Sequence, residues 1–279
     1  TFAYQYTRKP PLHVVPRANV IVRLCSIECC FTHPLNNPDC ADNADFSNDL
    51  LNWKKICNRL YIWDYTTNYG NFLGPFNNFG VIQPNIKFFA GNNVKGIYEE
   101  GNYIASQSNA EFAELRAYML AKLLWNPNLD YDKTMNDFLR AYYGKGWQYV
   151  REYINMTIKK SGTWGTHMTI WERITETGVF ILVPNEIKYC NDLWTKAAAL
   201  AETEIQLKNV NMSELAWRYW KGCKKVLEFS RIKNIFGWKA ENEKLYKDYQ
   251  KYGVTRFSEG NLITTAPDFS KIPSDWKTQ

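Results

Sequence analysis

Leu60-Tyr-Ile-Trp-Asp-Tyr65 is the stretch that decides the fold, because it is a short apolar run with little alternation between apolar and polar side chains. Runs of this kind are typical of strands that are covered on both faces, as in parallel sheets. Asn19-Val-Ile-Val-Arg-Leu-Cys25 has the same character. Two further β-branched or aromatic runs, Phe2–Thr7 and Val94–Tyr98, complete a set of four predicted strands.

Helical patterns separate these strands. Ser47–Arg59 carries apolar side chains at a period of about 3.6 residues, and Ser47 is a suitable N-cap. Pro84–Asn92 has a proline at its start, where a helix tolerates one. Strands that alternate with helices predict right-handed parallel crossovers. We therefore expect an α/β fold in residues 1–106, namely the C-terminal half of a TIM-type (β/α)8 barrel with its last four strands.

The rest of the chain is predicted to be almost wholly helical. The expected helices are Ser108–Trp125, Asp132–Tyr143, Gly146–Lys160, Pro184–Leu207, Ser213–Ile235 and Ala240–Tyr252. Residues 107–253 are therefore expected to form an all-α helical domain whose first helix closes the barrel. The tail over residues 254–279 contains Gly, Pro, Thr and Ser, and we expect an extended strap or a disordered end there.

The composition narrows the possible classes of function. The 279-residue chain is 45% hydrophobic and 22% charged, which excludes wholesale disorder. The net charge of +6 is mild and the basic residues are spread over predicted helices, so we expect no nucleic-acid partner. No apolar run reaches the roughly 20 residues of a membrane helix. Aromatic residues make up 16% of the chain, and they either form a large core or stack on the faces of sugars.

The chain begins at Thr1, inside the first predicted strand, and carries no signal peptide. We therefore expect an N-terminal region to precede it in the same polypeptide. That region would supply the missing N-terminal half of the barrel, which would otherwise stay open.

Three of the four predicted strands end in a carboxylate, and these are Glu28, Asp64 and Glu99. Catalytic residues of parallel barrels lie at the C-terminal ends of strands, so the three groups are expected on one rim. A glycosidase uses such a pair, one carboxyl group to protonate the leaving oxygen and another as base or nucleophile. The alternative is structural, because acidic residues at strand ends also cap the following helix or pair with arginine.

Polar and aromatic residues near these carboxylates are expected to contact a substrate. They are Arg23, His33, Trp63, Tyr65, Asn68, Glu100, Asn102 and Tyr103. Arg23 lies inside a predicted strand. It either pairs with Glu28 or Asp64, which would hold that carboxylate ionised, or extends between helices.

The cysteines invite a metal site but do not favour one. Cys29-Cys30-x-x-His33 with Cys40 offers sulfur and nitrogen ligands. Vicinal cysteines with one histidine are poorly spaced for a tetrahedral site, and no Cys-x-x-Cys is present. A loop disulfide to Cys40 is the alternative in an exported protein, and buried free thiols are the default. We expect no metal and no cofactor.

Four segments of the chain resemble one bacterial family. They are Ile21–Leu35, Leu60–Asn68, Val94–Tyr103 and Phe112–Trp125. The family is glycoside hydrolase family 163 and its relatives, long catalogued only as the domain of unknown function DUF4838. Its characterised members resemble retaining endo-β-N-acetylglucosaminidases that act on complex N-glycans, and gut bacteroidetes typically export them. The resemblance covers residues 1–150 well and the remainder loosely.

The resemblance ranks the carboxylates and implies a location. It favours Glu99 over Glu100, because in the family the first position is acidic and the second is often Gln. Glu28 is the second catalytic candidate. Asp64 is the third, as a partner for a sugar hydroxyl or acetamido group. The resemblance also implies a periplasmic, cell-surface or secreted protein, and a further acidic residue on barrel strands upstream.

Three functions are therefore carried forward as hypotheses. The leading one is a glycoside hydrolase that cleaves N-glycans or related β-linked amino-sugar glycans with paired carboxylates. The second is a non-catalytic carbohydrate-binding or scaffold module. The third is a glycosidase of another specificity, such as a uronidase-like activity.

Overall fold

The computed structural model describes residues 1–101, 111–161, 166–171, 182–229 and 238–265. Its main sheet has four strands in chain order, and every pair of neighbours is parallel. The strands are β1 (Phe2–Ala3), β2 (Val22–Cys25), β3 (Leu60–Tyr65) and β4 (Val94–Glu100). The predicted mixed α/β class with a parallel sheet is confirmed.

Two helices cover one face of this sheet. The first, α1 (Ala41–Ile56), follows β2, and the second, α2 (Ile82–Gly91), follows β3. Phe46 of α1 and Phe89 of α2 are fully buried and pack in one cluster with Ile62 of β3. Both crossovers therefore bring their helix to the same face, and that face is the buried one.

The opposite face of the sheet is open in the described part of the chain. Phe2 and Tyr98 lie on it and are 53% and 47% exposed. Trp63 lies between them and is half-buried. The predicted cover on both faces of the strands is confirmed in part: Cys25 of β2 and Tyr65 of β3 are buried on this face, whereas Trp63 and Tyr98 are not.

The first helix begins earlier than predicted, at Ala41 rather than after Ser47. Its first turn is held by Asn43, whose side chain accepts a hydrogen bond from the Cys30 amide at 2.8 Å and donates to carbonyls of the β2–α1 loop. Ser47 does not cap the helix and instead donates to the Leu35 carbonyl. Tertiary hydrogen bonds, rather than a local serine cap, set this boundary.

The loop Thr66–Val81 follows the carboxyl end of β3 and is almost wholly buried. Arg116, on α3 (Ala113–Trp125), holds this loop in place. Its guanidinium donates to Asn78 Oδ1 at 2.9 Å and to the Phe76 carbonyl at 2.7 Å. A buried cation is tolerated only when it is paired in this way, so Arg116 ties the helical part of the chain to the strand ends.

Helices continue up to a C-terminal hairpin. The elements are α4 (Tyr131–Tyr143), α5 (Trp147–Ser161), α6 (Pro184–Ala199), α7 (Glu204–Ser213), α8 (Leu215–Phe229), α9 (Trp238–Tyr252), β5 (Arg256–Ser258) and β6 (Asn261–Leu262). The single helix predicted over 184–207 is two helices, because Thr203 caps a new one by accepting from the Gln206 amide at 3.1 Å. The described part of the predicted tail contains the antiparallel pair β5–β6.

Two hydrophobic clusters meet along α2. One lies between the sheet and the helices α1 and α2, and the other joins the later helices. Ile82 and Ile86 of α2 belong to the second cluster, and Ile97 of β4 packs against both. The sheet-containing part and the helical part therefore share a packed interface. Among the described helices, none is long and apolar enough to span a membrane.

Candidate functional site

The three predicted carboxylates lie where their strands end. Asp64 of β3 is in register with Glu99 of β4, and Glu28 follows β2. Register neighbours in a parallel sheet point to the same face, so the side chains of Asp64 and Glu99 lie next to each other. The fold thus brings two of the three predicted groups together directly.

Asp64 and Glu99 form an acidic pair in which Asp64 is buried and Glu99 is half-buried. Asp64 is 6% exposed, and the Ser26 hydroxyl donates to its Oδ1. Burial raises the pKa of Asp64 to about 6, although the hydrogen bond from Ser26 lowers it. Burial, together with the charge of Asp64, raises the pKa of Glu99 well above its ordinary value. Both shifts have the same direction, and they favour a proton on the pair over the form in which both groups are charged.

The acidic pair faces a very small cavity. Glu99 Oε1 is buried and has no hydrogen-bond partner among the described residues. The cavity has a volume of about 10 Å³ and is lined by the pair and by residues of the β3–α2 region such as Asn78 and Asn85. That volume holds about one water molecule. A sugar does not fit beside the pair in this arrangement of the described residues.

Glu28 is exposed and bound by an arginine that sequence patterns did not single out. Its side chain is 51% exposed and accepts a hydrogen bond from Arg8 Nη1 at 2.6 Å. Arg8 Nε also donates to the buried carboxylate of Asp49, on α1, at 2.8 Å. Glu28 therefore belongs to an ion-pair network with the segment after β1, and it does not line the cavity at Asp64 and Glu99.

An aromatic surface lies on the open face of the sheet, near the strand ends. Trp63 contacts Tyr98 edge-on, with 5.1 Å between ring centroids, and stacks against Tyr65 at 6.5 Å. The indole Nε1 of Trp63 donates a hydrogen bond to Glu100 Oε2 at 2.5 Å. Side chains alternate along a strand, so Glu100 lies on this open face and Glu99 on the helix-covered face.

Arg23 also belongs to the open face. Its guanidinium lies over the ring of Phe2 at 5.7 Å and over that of Trp63 at 5.8 Å. Within the described ranges it forms no ion pair with Glu28 or Asp64. Cation–π contacts replace the ion pair that was one of the two expectations for this residue.

A further carboxylate, from the hairpin at the C-terminal end of the described chain, influences Glu100. Burial raises the pKa of Glu100, the hydrogen bond from Trp63 lowers it, and the charge of Glu259 raises it further. The amide of Glu259 donates to the Tyr69 carbonyl at 2.8 Å, which holds the hairpin turn against the loop after β3. No sequence signal pointed to Glu259, because its position depends on the hairpin folding back across that loop.

The other predicted contact residues shape the surroundings of the site. Asn68 Oδ1 accepts from the amides two and three residues further on, at 3.0 and 3.1 Å, and so stabilises the turn after β3. Tyr65 is 8% exposed and packs edge-on against Tyr69. Asn102 and Tyr103 lie outside the described residues.

His33 lies beside cysteines rather than beside the carboxylates. Its Nδ1 is 3.3 Å from Cys30 Sγ. All seven cysteines lie in the described ranges, and all are buried and free, as the default expectation stated. Cys40, the candidate for a loop disulfide, instead has its Sγ 3.7 Å from His167 Nδ1. Burial raises the pKa of the Cys40 thiol to about 11.

A larger cavity lies away from the strand ends. It has a volume of about 810 Å³ and is lined by residues of α6, α7, α8 and α9. The ion pair between Arg218 Nη1 and Asp248 Oδ2, at 2.6 Å, is part of its wall. None of the predicted catalytic or substrate-contact residues lines this cavity, so it is separate from the candidate site.

Fold and site together define a mixed α/β chain in which carboxyl groups and aromatic rings gather at the carboxyl end of a parallel sheet. The family described as a domain of unknown function (DUF4838) matches residues 1–155, more than half of the chain, and the chain belongs to this family. The DUF4838 part of the family prediction is thereby confirmed. No curated protein and no solved structure matches the chain.

Proposed function

We propose that this chain is the C-terminal portion of a glycoside hydrolase of the family 163 type, which acts on N-glycans or related β-linked amino-sugar glycans. The observation that carries the proposal is a group of three carboxyl groups with raised pKa values at adjacent strand ends: Asp64, Glu99 and Glu100. A glycosidase needs a carboxyl group that stays protonated at its working pH, and burial beside a second carboxylate supplies one.

Within the acidic pair, we assign the proton to Glu99. Burial and the charge of Asp64 raise the pKa of Glu99, and its Oε1 has no hydrogen-bond partner among the described residues. Asp64 accepts a hydrogen bond from Ser26, which favours its charged form. Glu99 is then the general acid, and Asp64 is the carboxylate that orients a sugar hydroxyl or acetamido group.

The open face of the sheet is the proposed platform for the sugar. The rings of Trp63 and Tyr98 offer apolar surface to the C–H face of a pyranose, and Glu100 and Arg23 supply polar contacts beside them. A sugar on this face would have to place its glycosidic oxygen at the carboxyl ends of the strands to come within reach of Glu99, which lies on the opposite face. Catalysis by Glu99 then requires the one-water cavity to open toward that rim.

We further propose that strands upstream of residue 1 continue the sheet beyond β1 and complete a barrel. They would cover the ring of Phe2, which is 53% exposed, and leave the rings of Trp63 and Tyr98 open to the sugar near the strand ends. The chain expressed alone should bind a hydrophobic dye, and joined to its upstream sequence it should bind less. Dye binding that is equally strong in both forms contradicts this part of the proposal.

Hydrolysis of complex N-glycans by the full-length polypeptide that carries this chain is the direct test, with products followed by mass spectrometry. We expect Glu99→Gln to lower turnover by at least about 100-fold, because a general acid contributes about that much. Asp192→Asn is the control, since Asp192 lies in a surface ion pair on α6. Wild-type turnover in Glu28→Gln, Asp64→Asn, Glu99→Gln and Glu100→Gln alike would remove the proposal.

The small cavity favours a second candidate, a carbohydrate-binding module without catalysis. In that case the aromatic platform binds a glycan while the acidic pair never meets it. Trp63→Ala should then weaken glycan binding by about tenfold, as for the loss of one aromatic contact. Trp125→Ala is the matched control, because that indole is 91% exposed on α3. Binding measured by calorimetry, with no cleavage by the wild-type full-length polypeptide, would select this candidate over the hydrolase.

A protein of this proposed class is exported, so a periplasmic, cell-surface or secreted location is part of the proposal. It is carried by the resemblance to family 163. Fractionation of the producing cells tests it, and a wholly cytoplasmic pool of the full-length polypeptide contradicts it.

A further inference from the structure

Two thiols and two imidazoles converge beside the β2–α1 loop. They belong to Cys30, His33, Cys40 and His167, and their potential ligand atoms all lie within 4.8 Å of one another. Cys30 Sγ is 3.3 Å from His33 Nδ1, and Cys40 Sγ is 3.7 Å from His167 Nδ1. The two imidazole rings are 4.9 Å apart between centroids.

These separations are those of a tetrahedral metal site. Zinc binds sulfur at about 2.3 Å and nitrogen at about 2.0–2.1 Å. Two ligands at the corners of such a tetrahedron are about 3.3–3.8 Å apart, from the same bond lengths. The distances from Cys30 to His33 and from Cys40 to His167 fall in that interval. The other ligand atoms, which lie up to 4.8 Å apart, would have to approach one another by about 1 Å or slightly more to complete the shell.

The fold holds the ligands in place from three directions. Asn43 binds the loop through the Cys30 amide and the His33 carbonyl, at 2.8 and 3.0 Å. Cys40 is the N-cap residue of α1, so the first turn of that helix fixes its position. Cys30 and Cys40 are each only 1% exposed, so their thiols are shielded from water. His167 comes from the distant segment 166–171.

We propose that Cys30, His33, Cys40 and His167 bind one Zn²⁺ ion as a structural site. Two soft thiolates and two imidazoles in a tetrahedral arrangement form a donor set that selects zinc. Four protein ligands leave no open position for a water, so the ion stabilises the fold and does not act on a substrate. The carboxylate of Asp42 lies 2.8 Å from His167 Nδ1, the nitrogen that is also 3.7 Å from Cys40 Sγ, so a bound ion would take this nitrogen from Asp42.

The ion would fasten the segment 166–171 to the strand ends. That segment is already joined to the β2–α1 loop by Phe31, whose amide donates to the Met168 carbonyl at 2.8 Å. The Thr32 hydroxyl also donates to the Thr166 carbonyl, at 3.0 Å. A metal that links residues so far apart in sequence couples its binding to folding of the site's surroundings.

Metal content tests the proposal directly. The full-length polypeptide, purified without chelator or added metal, should contain about one zinc ion per chain at this site by mass spectrometry. Cys40→Ser and His167→Ala should each lower the zinc content by about one ion per chain, relative to wild type. Cys57→Ser should leave the zinc content unchanged. Cys57 is a buried thiol at the other end of α1 and does not belong to the cluster.

Wild-type protein provides a second readout if a ligand variant fails to fold. Replacement of the zinc by Co²⁺ should give the intense ligand-field bands of a tetrahedral ion and a thiolate-to-metal charge-transfer band. A Cys30–Cys40 disulfide in peptide mapping, no cobalt spectrum, or zinc content unchanged in both ligand variants would each overturn the proposal.

Discussion

Asp64→Asn is predicted to stabilise the protein, and the gain should grow with pH. The Asp64 carboxyl group is buried, and its pKa is raised from 3.8 to about 6. The folded state therefore binds this proton more tightly than the unfolded state does. As a result, stability falls as the pH rises from about 4 to about 6 and stays lower above that range. Asparagine has no charge to bury and escapes this loss.

The structure also gives the size of the effect. A pKa raised from 3.8 to about 6 corresponds to about 3 kcal/mol of unfolding free energy. The asparagine oxygen can keep the hydrogen bond from Ser26, and its amide can donate to Glu99 Oε1, which has no partner among the described residues. We expect a gain on the order of 3 kcal/mol at pH 8 and less than about 1 kcal/mol at pH 4.

Urea unfolding, followed by circular dichroism at several pH values between 4 and 8, measures this difference. The control is Asp192→Asn, which removes a surface pair with Lys188 and should change stability by no more than about 0.5 kcal/mol at each pH. A loss of stability in Asp64→Asn at pH 8 would refute the reasoning. So would a gain of equal size at pH 4 and pH 8, because a charge-burial effect must vanish when the group is protonated.

Three further substitutions test packing and hydrogen bonds in different parts of the chain. Arg116→Ala should lower the free energy of unfolding by about 3–5 kcal/mol in urea titrations, because a buried guanidinium leaves three hydrogen-bond partners behind. Gly146→Ala should cost about 1–3 kcal/mol in the same assay, since the added Cβ would lie 2.5 Å from the Ala197 carbonyl oxygen. Trp63→Phe removes the hydrogen bond to Glu100, so the pKa of that carboxyl group should rise in an NMR titration.

Matched control variants distinguish these specific effects from nonspecific destabilisation. Arg140→Ala removes a 58% exposed guanidinium and should cost about 1 kcal/mol or less. Gly91→Ala adds a Cβ that meets no atom within 4 Å and should not destabilise the protein. Similar losses for Arg116→Ala and Arg140→Ala, or for both glycine variants, would contradict the packing described. A lower pKa of Glu100 without Trp63 would contradict the assigned hydrogen bond.

Local sequence predicted the bounds of the central strand β3 well and those of the edge strand β1 poorly. Leu60–Tyr65 has the predicted bounds, because a short apolar run flanked by helical patterns has few alternatives. The first strand is Phe2–Ala3 instead of the expected Phe2–Thr7. A strand extends only as far as its neighbour pairs with it, and here β2 pairs with two residues. The end of an edge strand is therefore a property of the sheet.

Several residues at the candidate sites could not be found from local patterns. Arg8, which binds Glu28, lies in a segment with no catalytic motif. Glu259 reaches the surroundings of Glu100 through a hairpin, and His167 reaches the thiols from a separate segment. Each of these residues reaches its site because the chain folds back on itself far from that site in sequence. Hydrophobic periodicity does not predict where the chain turns back, because loops of very different length close at nearly the same entropic cost.

The sequence by itself determined the parallel α/β class and the placement of Glu28, Asp64 and Glu99 at strand ends, since both follow from runs and periods of a few residues. Only the tertiary structure decided which of these groups meet. It pairs Asp64 with Glu99 in a closed cavity and gives Glu28 to an arginine. It also brings His167 to the cysteines. Contacts between distant segments depend on how helices and loops pack together, and that packing is a property of the whole chain.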